Sequence, residues 1–178
     1  MPTTPPPIEL SDDELRAVTG YAADCARRTL ALYEETHPGD TRPRDAVDAA
    51  DAFAAGGRRT NALRQHGWAA FKAAQEATTP AAADAARAAS HAAGAAFLHP
   101  LASPHQVKHI LGAAAHAARA EELASPDHDP DIASHSLALA RDHAPSAVRG
   151  VLKRLPPAPP GGGPAGALIR DLDAALRG

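Results

Sequence analysis

Five of the chain's ten histidines fall between Ala89 and Leu123, in a stretch otherwise dominated by alanine. At 100° per residue His105, His109 and His116 lie within about 40° of one another, so a helix there presents all three from one face. Imidazoles grouped in this way can hold a metal, move a proton or meet a partner. His105 and His109 have the i, i+4 separation of a two-histidine metal pair, but a tetrahedral zinc needs at least a third protein donor. Only His91 or His99 on the preceding segment could supply it, and no acidic residue lies between Asp84 and Glu121 to orient the rings. The expectation is no resident metal and no cofactor. His105, His109 and His116 are read instead as a polar surface or the lining of a cleft, and His91, set among alanines, as an interhelical histidine that needs a hydrogen-bond partner.

Other residue groups carry weaker chemical signals. In "DHDPDIASH", Asp127, His128, Asp129, Asp131 and His135 bring hard oxygens beside imidazoles, as a divalent ion would require, yet aspartate beside proline equally marks a capped loop. Arg42 and Arg44 stand at the start of a predicted helix, where the dipole gives a cation no support. They call for ion pairs with acids such as Asp45 or Asp48, or for an anionic ligand held by the guanidinium fork. Asp45, Asp48 and Asp51 recur at three and make an acidic stripe able to steer a basic partner. Residues 1–60 carry a net charge of −4 and the remainder +1, so the acid is concentrated there. Cys25 lies in an apolar stripe and reads as a small buried hydrophobe rather than a nucleophile. Trp68, the only tryptophan, reads as a core plug beside Gly67.

The elements that must position these residues are helical. The apolar fraction is 44% but aromatics are only 3%, so alanine dominates and helices must approach closely to bury enough area. Ser11 and Glu14 form a capping-box signature, followed by Leu15, Val18, Ala22, Cys25, Thr29 and Leu32 at helical spacing. Further helices are predicted from Arg42 to the Gly56-Gly57 stop, from about Thr60 to Thr78, from Pro80 to about Leu98, and after Ser103-Pro104. The connection "HPLASP" is short enough to make the last two an antiparallel hairpin. Two shorter helices follow, broken at Pro145. No strand pattern occurs. The predicted fold is an all-α antiparallel bundle of five principal helices plus shorter C-terminal ones: a disordered arm over 1–10, a bundle over 11–155, a Pro/Gly linker over 156–166, and a C-terminal helix over 167–178 docked on the bundle by Leu168, Leu172 and Leu176.

Charge and composition exclude several functions. A net charge of −3, with no run of like charges longer than three, argues against nucleic acid and against an anionic membrane surface. The single cysteine excludes an internal disulfide, and "MPTTPPPIEL" lacks the basic start and apolar stretch of a signal peptide, so a cytoplasmic protein is expected.

Three segments, "RPRDAVDAADAFAAGG" at Arg42–Gly57, "AARAASHAAGAAF" at Ala85–Phe97 and "HILGAAAHAARA" at His109–Ala120, together resemble the Imm-5-like immunity proteins of actinobacterial genomes. The resemblance covers roughly Asp12 to Leu123. It implies an all-α protein that binds and neutralises a protein toxin without catalysis. On that reading Asp45, Asp48, Asp51, His105, His109 and His116 form the partner surface, and a homodimer is left open. The competing expectation is a small helical enzyme or small-molecule binder, for example in specialised metabolism, with His91, His109 or His116 as base and Arg42 or Arg44 holding an acidic substrate. A third is a scaffold joined to others through its terminal helix.

Overall fold

The computed structural model describes residues 3–178. Among them the chain forms nine α-helices and two short 3-10 turns, with a single antiparallel bridge between Pro7 and Leu101 as its only extended pairing. The fold is all-α. The helices are α1 (Asp12–Arg27), α2 (Leu30–Glu34), α3 (Arg42–Ala54), α4 (Asn61–Glu76), α5 (Pro80–Ala95), α6 (Val107–Ala124), α7 (Pro130–His143), α8 (Ser146–Lys153) and α9 (Gly163–Arg177). At 14 and 15 residues, α7 and α9 are no shorter than the 13-residue α3.

Local chemistry sets most of the boundaries. Ser11 and Glu14 close a reciprocal capping box at the start of α1, with bonds of 3.0 and 3.1 Å. Thr60 and Thr79 accept from the backbones of Leu63 and Ala82, which fixes the entries to α4 and α5. The first helix is shorter than its apolar stripe suggests. Thr29 turns both its N–H and its hydroxyl onto the Ala26 carbonyl, which tightens the backbone and separates α2 from α1.

The centre of the molecule is the antiparallel hairpin of α5 and α6. Helices α1, α2, α3 and α4 pack on α5, while α1, α7 and α9 pack on α6. Both central helices are therefore covered on several sides, and alanine makes this feasible. Ala85, Ala88, Ala89, Ala92 and Ala93 of α5 are fully buried, as are Ala115, Ala118 and Ala120 of α6. Each buried methyl contributes only about 0.8 kcal/mol, so stability depends on many of them and on short distances between helix axes. Gly67 of α4 illustrates this closeness, since a Cβ there would lie 3.3 Å from that of Ala93. The larger aliphatics Ile110, Leu111, Val107, Val148 and Leu152 fill the remaining core.

The described parts of both terminal segments are laid onto this bundle. Pro6 O accepts from Ala102 and Ile8 donates to Pro100 O, so the described part of the proline-rich arm runs along the α5–α6 turn. Met1 and Pro2, the first residues of the arm predicted to be disordered, lie outside the described residues. At the other end Leu172 and Leu176 of α9 are buried and Leu168 is half-buried. Buried Asp173 accepts from the Ala158 backbone at 2.9 Å and from Arg177 at 2.7 Å, while Arg170 and Arg177 donate to carbonyls of the Pro/Gly segment. The arginines of α9 thus hold the segment that leads into it. No helix among the described residues is long and apolar enough to cross a membrane.

Candidate functional site

The face of the histidine helix, expected to be a polar surface or the lining of a cleft, is largely covered. Burial runs nearly all round α6, including Gly112, Ala113 and Ala117, and leaves His109 and His116 only partly exposed. Their neighbour is α5. Because the hairpin folds at residues 99–103, positions equally far from the turn come opposite one another, and His91 meets His116 and Gly112. The rings of His91 and His116 stack with centroids 5.1 Å apart and planes at 20°. Gly112 makes the seat, since a Cβ there would fall 2.5 Å from His91 Nδ1. Behind the stack, His116 Nδ1 donates to Asp84 Oδ1 at 2.6 Å, and this carboxylate is buried. The expected absence of an acidic orienter is therefore corrected: Asp84 performs that role across the helix pair for His116.

His91 itself has no protein hydrogen-bond partner among the described residues. Among the described residues no fully buried side-chain nitrogen or oxygen is left unpaired, so the ring nitrogens of His91, which helps to line the groove, keep some access to solvent. Burial above all, and then His116, His109 and Lys108, pushes its pKa down to about 3. Burial also lowers His109, assisted by Lys108 and His99. Both rings are neutral near pH 7, which suits hydrogen bonding rather than charge pairing.

This groove, of about 600 Å³, runs over α5 between α4 and α6. Its α4 wall carries Arg64, Trp68 and Phe71, its floor includes Ser90, Gly94 and Phe97 of the α5 end, and Lys108 and His109 face them from α6. Trp68 is 66% exposed and Phe71 40%, which overturns the core position predicted for Trp68. The physical reason is that the buried side of α4, made of Leu63, Gly67, Ala70, Ala73 and Ala74, is almost all small, and the indole, one position off Gly67, is turned to the rim. Trp68 and Phe71 meet edge to face, with centroids 6.0 Å apart. Arg64 lies over Phe97 with its guanidinium carbon 4.4 Å from the ring centre. Neither Arg64 nor Lys108 forms an ion pair among the described residues, and no carboxylate lines the groove. Ser90 is not poised as a nucleophile, because its hydroxyl donates to Gly67 O at 2.9 Å.

The remaining candidate residues lie elsewhere. Arg42 makes a two-pronged contact with Asp40, at 2.9 and 2.7 Å, and also reaches Glu76 at 2.8 Å. Arg44 holds Glu34 at 2.6 and 2.8 Å. Both arginines are thus ion-paired, but with Asp40, Glu76 and Glu34 rather than Asp45 or Asp48. Asp48 and Asp51 both bind Arg27, and Asp45 accepts from Thr41. His105 is exposed on the turn before α6 and does not line the groove. Asp129 caps α7 by accepting from the Asp131 backbone at 3.0 Å, which is the capped-loop arrangement. Among the described residues no three His, Cys, Asp or Glu side chains converge on a metal position. Cys25 is buried in α1, and burial pushes its thiol up to about 12.

A second cleft, of about 680 Å³, separates α1 from α7. Much of its polar lining is engaged within the protein: Tyr21 donates to Ala140 O, Arg16 to the Phe53 and Gly57 carbonyls, and Arg28 to Glu121. Those groups are not directed at a ligand.

Residues 9–143 match the protein family described as Imm-5 like putative immunity protein. The match extends past Leu123 to the end of α7, further than the three segments that first suggested it, and leaves α8, the Pro/Gly segment and α9 outside. No curated protein and no solved structure matches the chain.

Proposed function

The chain belongs to the Imm-5-like immunity family, and from that premise we propose that it binds a protein toxin and neutralises it by occupying its surface, without catalysis. The observation that carries this reading is the exposure of Trp68 and Phe71 side by side on one face of α4. Only one other large hydrophobic side chain among the described residues, Ile132, is exposed, and it lies on α7. Aromatic side chains beside arginine are the composition of interface hot spots, and leaving them in water costs solubility unless a partner covers them. His109 belongs to this surface, and His116 supports it from beneath. The acidic stripe of α3 is less suited to the task, because Asp48 and Asp51 already share Arg27, which offsets one of their two charges.

The test is recovery of a partner with the full chain as bait from its native host, followed by expression of the recovered protein in a heterologous host. The expected result is growth arrest that co-expression of this chain relieves. A recovered partner that is not toxic, or a toxicity this chain leaves untouched, would contradict the proposal. One observation favours a second reading, a small-molecule binder: the groove volume lies within the range of ligand sites, and it holds Arg64 together with His91 and His109. Arg42 and Arg44 take no part in it, being paired elsewhere.

A further inference from the structure

We propose that the groove between α4 and α6 receives an acidic segment of the partner, an aspartate or glutamate flanked by apolar residues. This inference rests on the toxin-binding reading above. Its first support is charge. The protein as a whole is acidic at −3, and its arginines are mostly spent on carboxylates, yet this groove holds two cations and no acid. Arg64 lies over the Phe97 ring, a placement that leaves the edge of the guanidinium, where its N–H donors are, free to grip a carboxylate. Lys108 stands on the opposite wall as a second cation.

The second support is His91. A largely covered imidazole without a protein partner is unusual, and Gly112 is needed to seat it. Its neutral ring offers one donor and one acceptor to a peptide backbone or a carboxylate, with no charge of its own to desolvate. The third is space. Nothing lies within 4 Å of where a Cβ on Gly94 would stand, so the floor of the groove is open there. Trp68 and Phe71 then provide apolar flanks too exposed to be covered by one small molecule. A single-stranded nucleic acid would also use aromatics and cations, but it needs a cationic track along its backbone, and two cations on an acidic protein do not supply one.

The only tryptophan of the chain reports directly on this site. We would titrate the full-length protein with Ac-Phe-Glu-Glu-Phe-amide, following Trp68 emission, and compare the glutamine and lysine counterparts and an oligothymidylate. The glutamate peptide should saturate at least about tenfold more tightly than the glutamine one. Arg64→Gln with Lys108→Gln should erase that preference, whereas Lys153→Gln on α8 should preserve it. Gly94→Leu, which leaves every charge in place and fills the floor, should abolish saturation while the helical circular dichroism is retained. Equal affinity for the glutamine peptide, tighter binding of lysine peptide or oligothymidylate, or no saturation by the glutamate peptide at about millimolar concentration would overturn the inference. These outcomes do not involve a toxin. Saturation by the glutamate peptide alongside failure to neutralise any recovered partner would leave the groove chemistry standing and remove the immunity reading instead.

Discussion

The face built from α1, α2 and α3 and the groove between α4 and α6 treat charge in opposite ways. On the first, Arg27 holds Asp48 and Asp51, Arg42 holds Asp40 and Glu76, Arg44 holds Glu34, and Arg28 reaches across to Glu121. On the second, Arg64 and Lys108 have no acidic partner among the described residues, and Trp68 and Phe71 stand in solvent beside them. On the first face all four of these arginines are already engaged, by six carboxylates, so what remains there is negative charge rather than an unpaired cation. A face that leaves cations and aromatics unspent gains from being covered, and that difference is why the proposed binding surface is placed on the groove rather than on the acidic stripe.

The contrast can be attacked first at Gly112, where the largest stability effect of a single substitution at neutral pH is expected. Gly112→Ala sets a Cβ 2.5 Å from His91 Nδ1, so the ring must leave its seat on the groove wall. Overpacking of this kind costs about 1–3 kcal/mol, offset by up to about 1 kcal/mol of gained helix propensity. Urea unfolding should show a net loss. An unchanged midpoint would mean that His91 is not held there.

Next comes the pH response, which separates the two faces. His91 has a folded pKa near 3, below its ordinary value of 6.5. Between those values the unfolded chain binds the proton and the folded chain does not, so stability falls as pH falls from 6.5. The slope is at most about 1.4 kcal/mol per pH unit. The groups facing that ring are His116, with Asp84 behind it, His109 and Lys108 from α6, and Arg64 across the groove. On the paired face, Arg42 holds the Asp40 carboxyl far below the usual carboxylate range, and Tyr33 assists by donating to it. That contribution is present above the ordinary carboxylate pKa and is lost only at lower pH. Thermal midpoints of wild type and His91→Asn should therefore diverge between pH 6.5 and 4, with the variant the flatter; parallel curves would contradict the assignment. A smaller effect is expected from Arg42→Ala, about 1 kcal/mol or less because the pair is partly solvated, and Asp51→Asn should shift stability by no more than about 0.5 kcal/mol in the same urea assay.

The helices were readable in the sequence because caps and apolar spacing are local signals: Ser11 with Glu14, Thr60, and Thr79 before Pro80 all act where their residue types imply. The groove was not, and Trp68 shows why. Hydrophobicity ranks tryptophan as core, but in an alanine-rich bundle close helix approach favours glycine and alanine at the contact and leaves no room there for an indole. The stripe Leu63, Gly67, Ala70 and Ala74 was the available signal, and it excludes position 68. Asp84 escaped for another reason. It lies 32 residues from His116 and becomes its neighbour only through the register of the hairpin, which a search confined to the segment between Asp84 and Glu121 misses. The arginine pairs were half legible: that Arg42 and Arg44 need acids follows from their place at a helix start, but the acids chosen, Asp40, Glu76 and Glu34, depend on how α2, α3 and α4 meet.

The central claim, that the unpaired groove rather than the acidic stripe engages the toxin, is tested most directly by calorimetric titration of the recovered partner against two variants of this chain. Trp68→Ala with Phe71→Ala should weaken binding by about a hundredfold or more, as loss of two aromatic anchors implies, while Asp45→Asn, Asp48→Asn and Asp51→Asn combined should change it by less than about threefold. Loss of affinity in the aspartate variant with the aromatic variant unaffected would contradict the account.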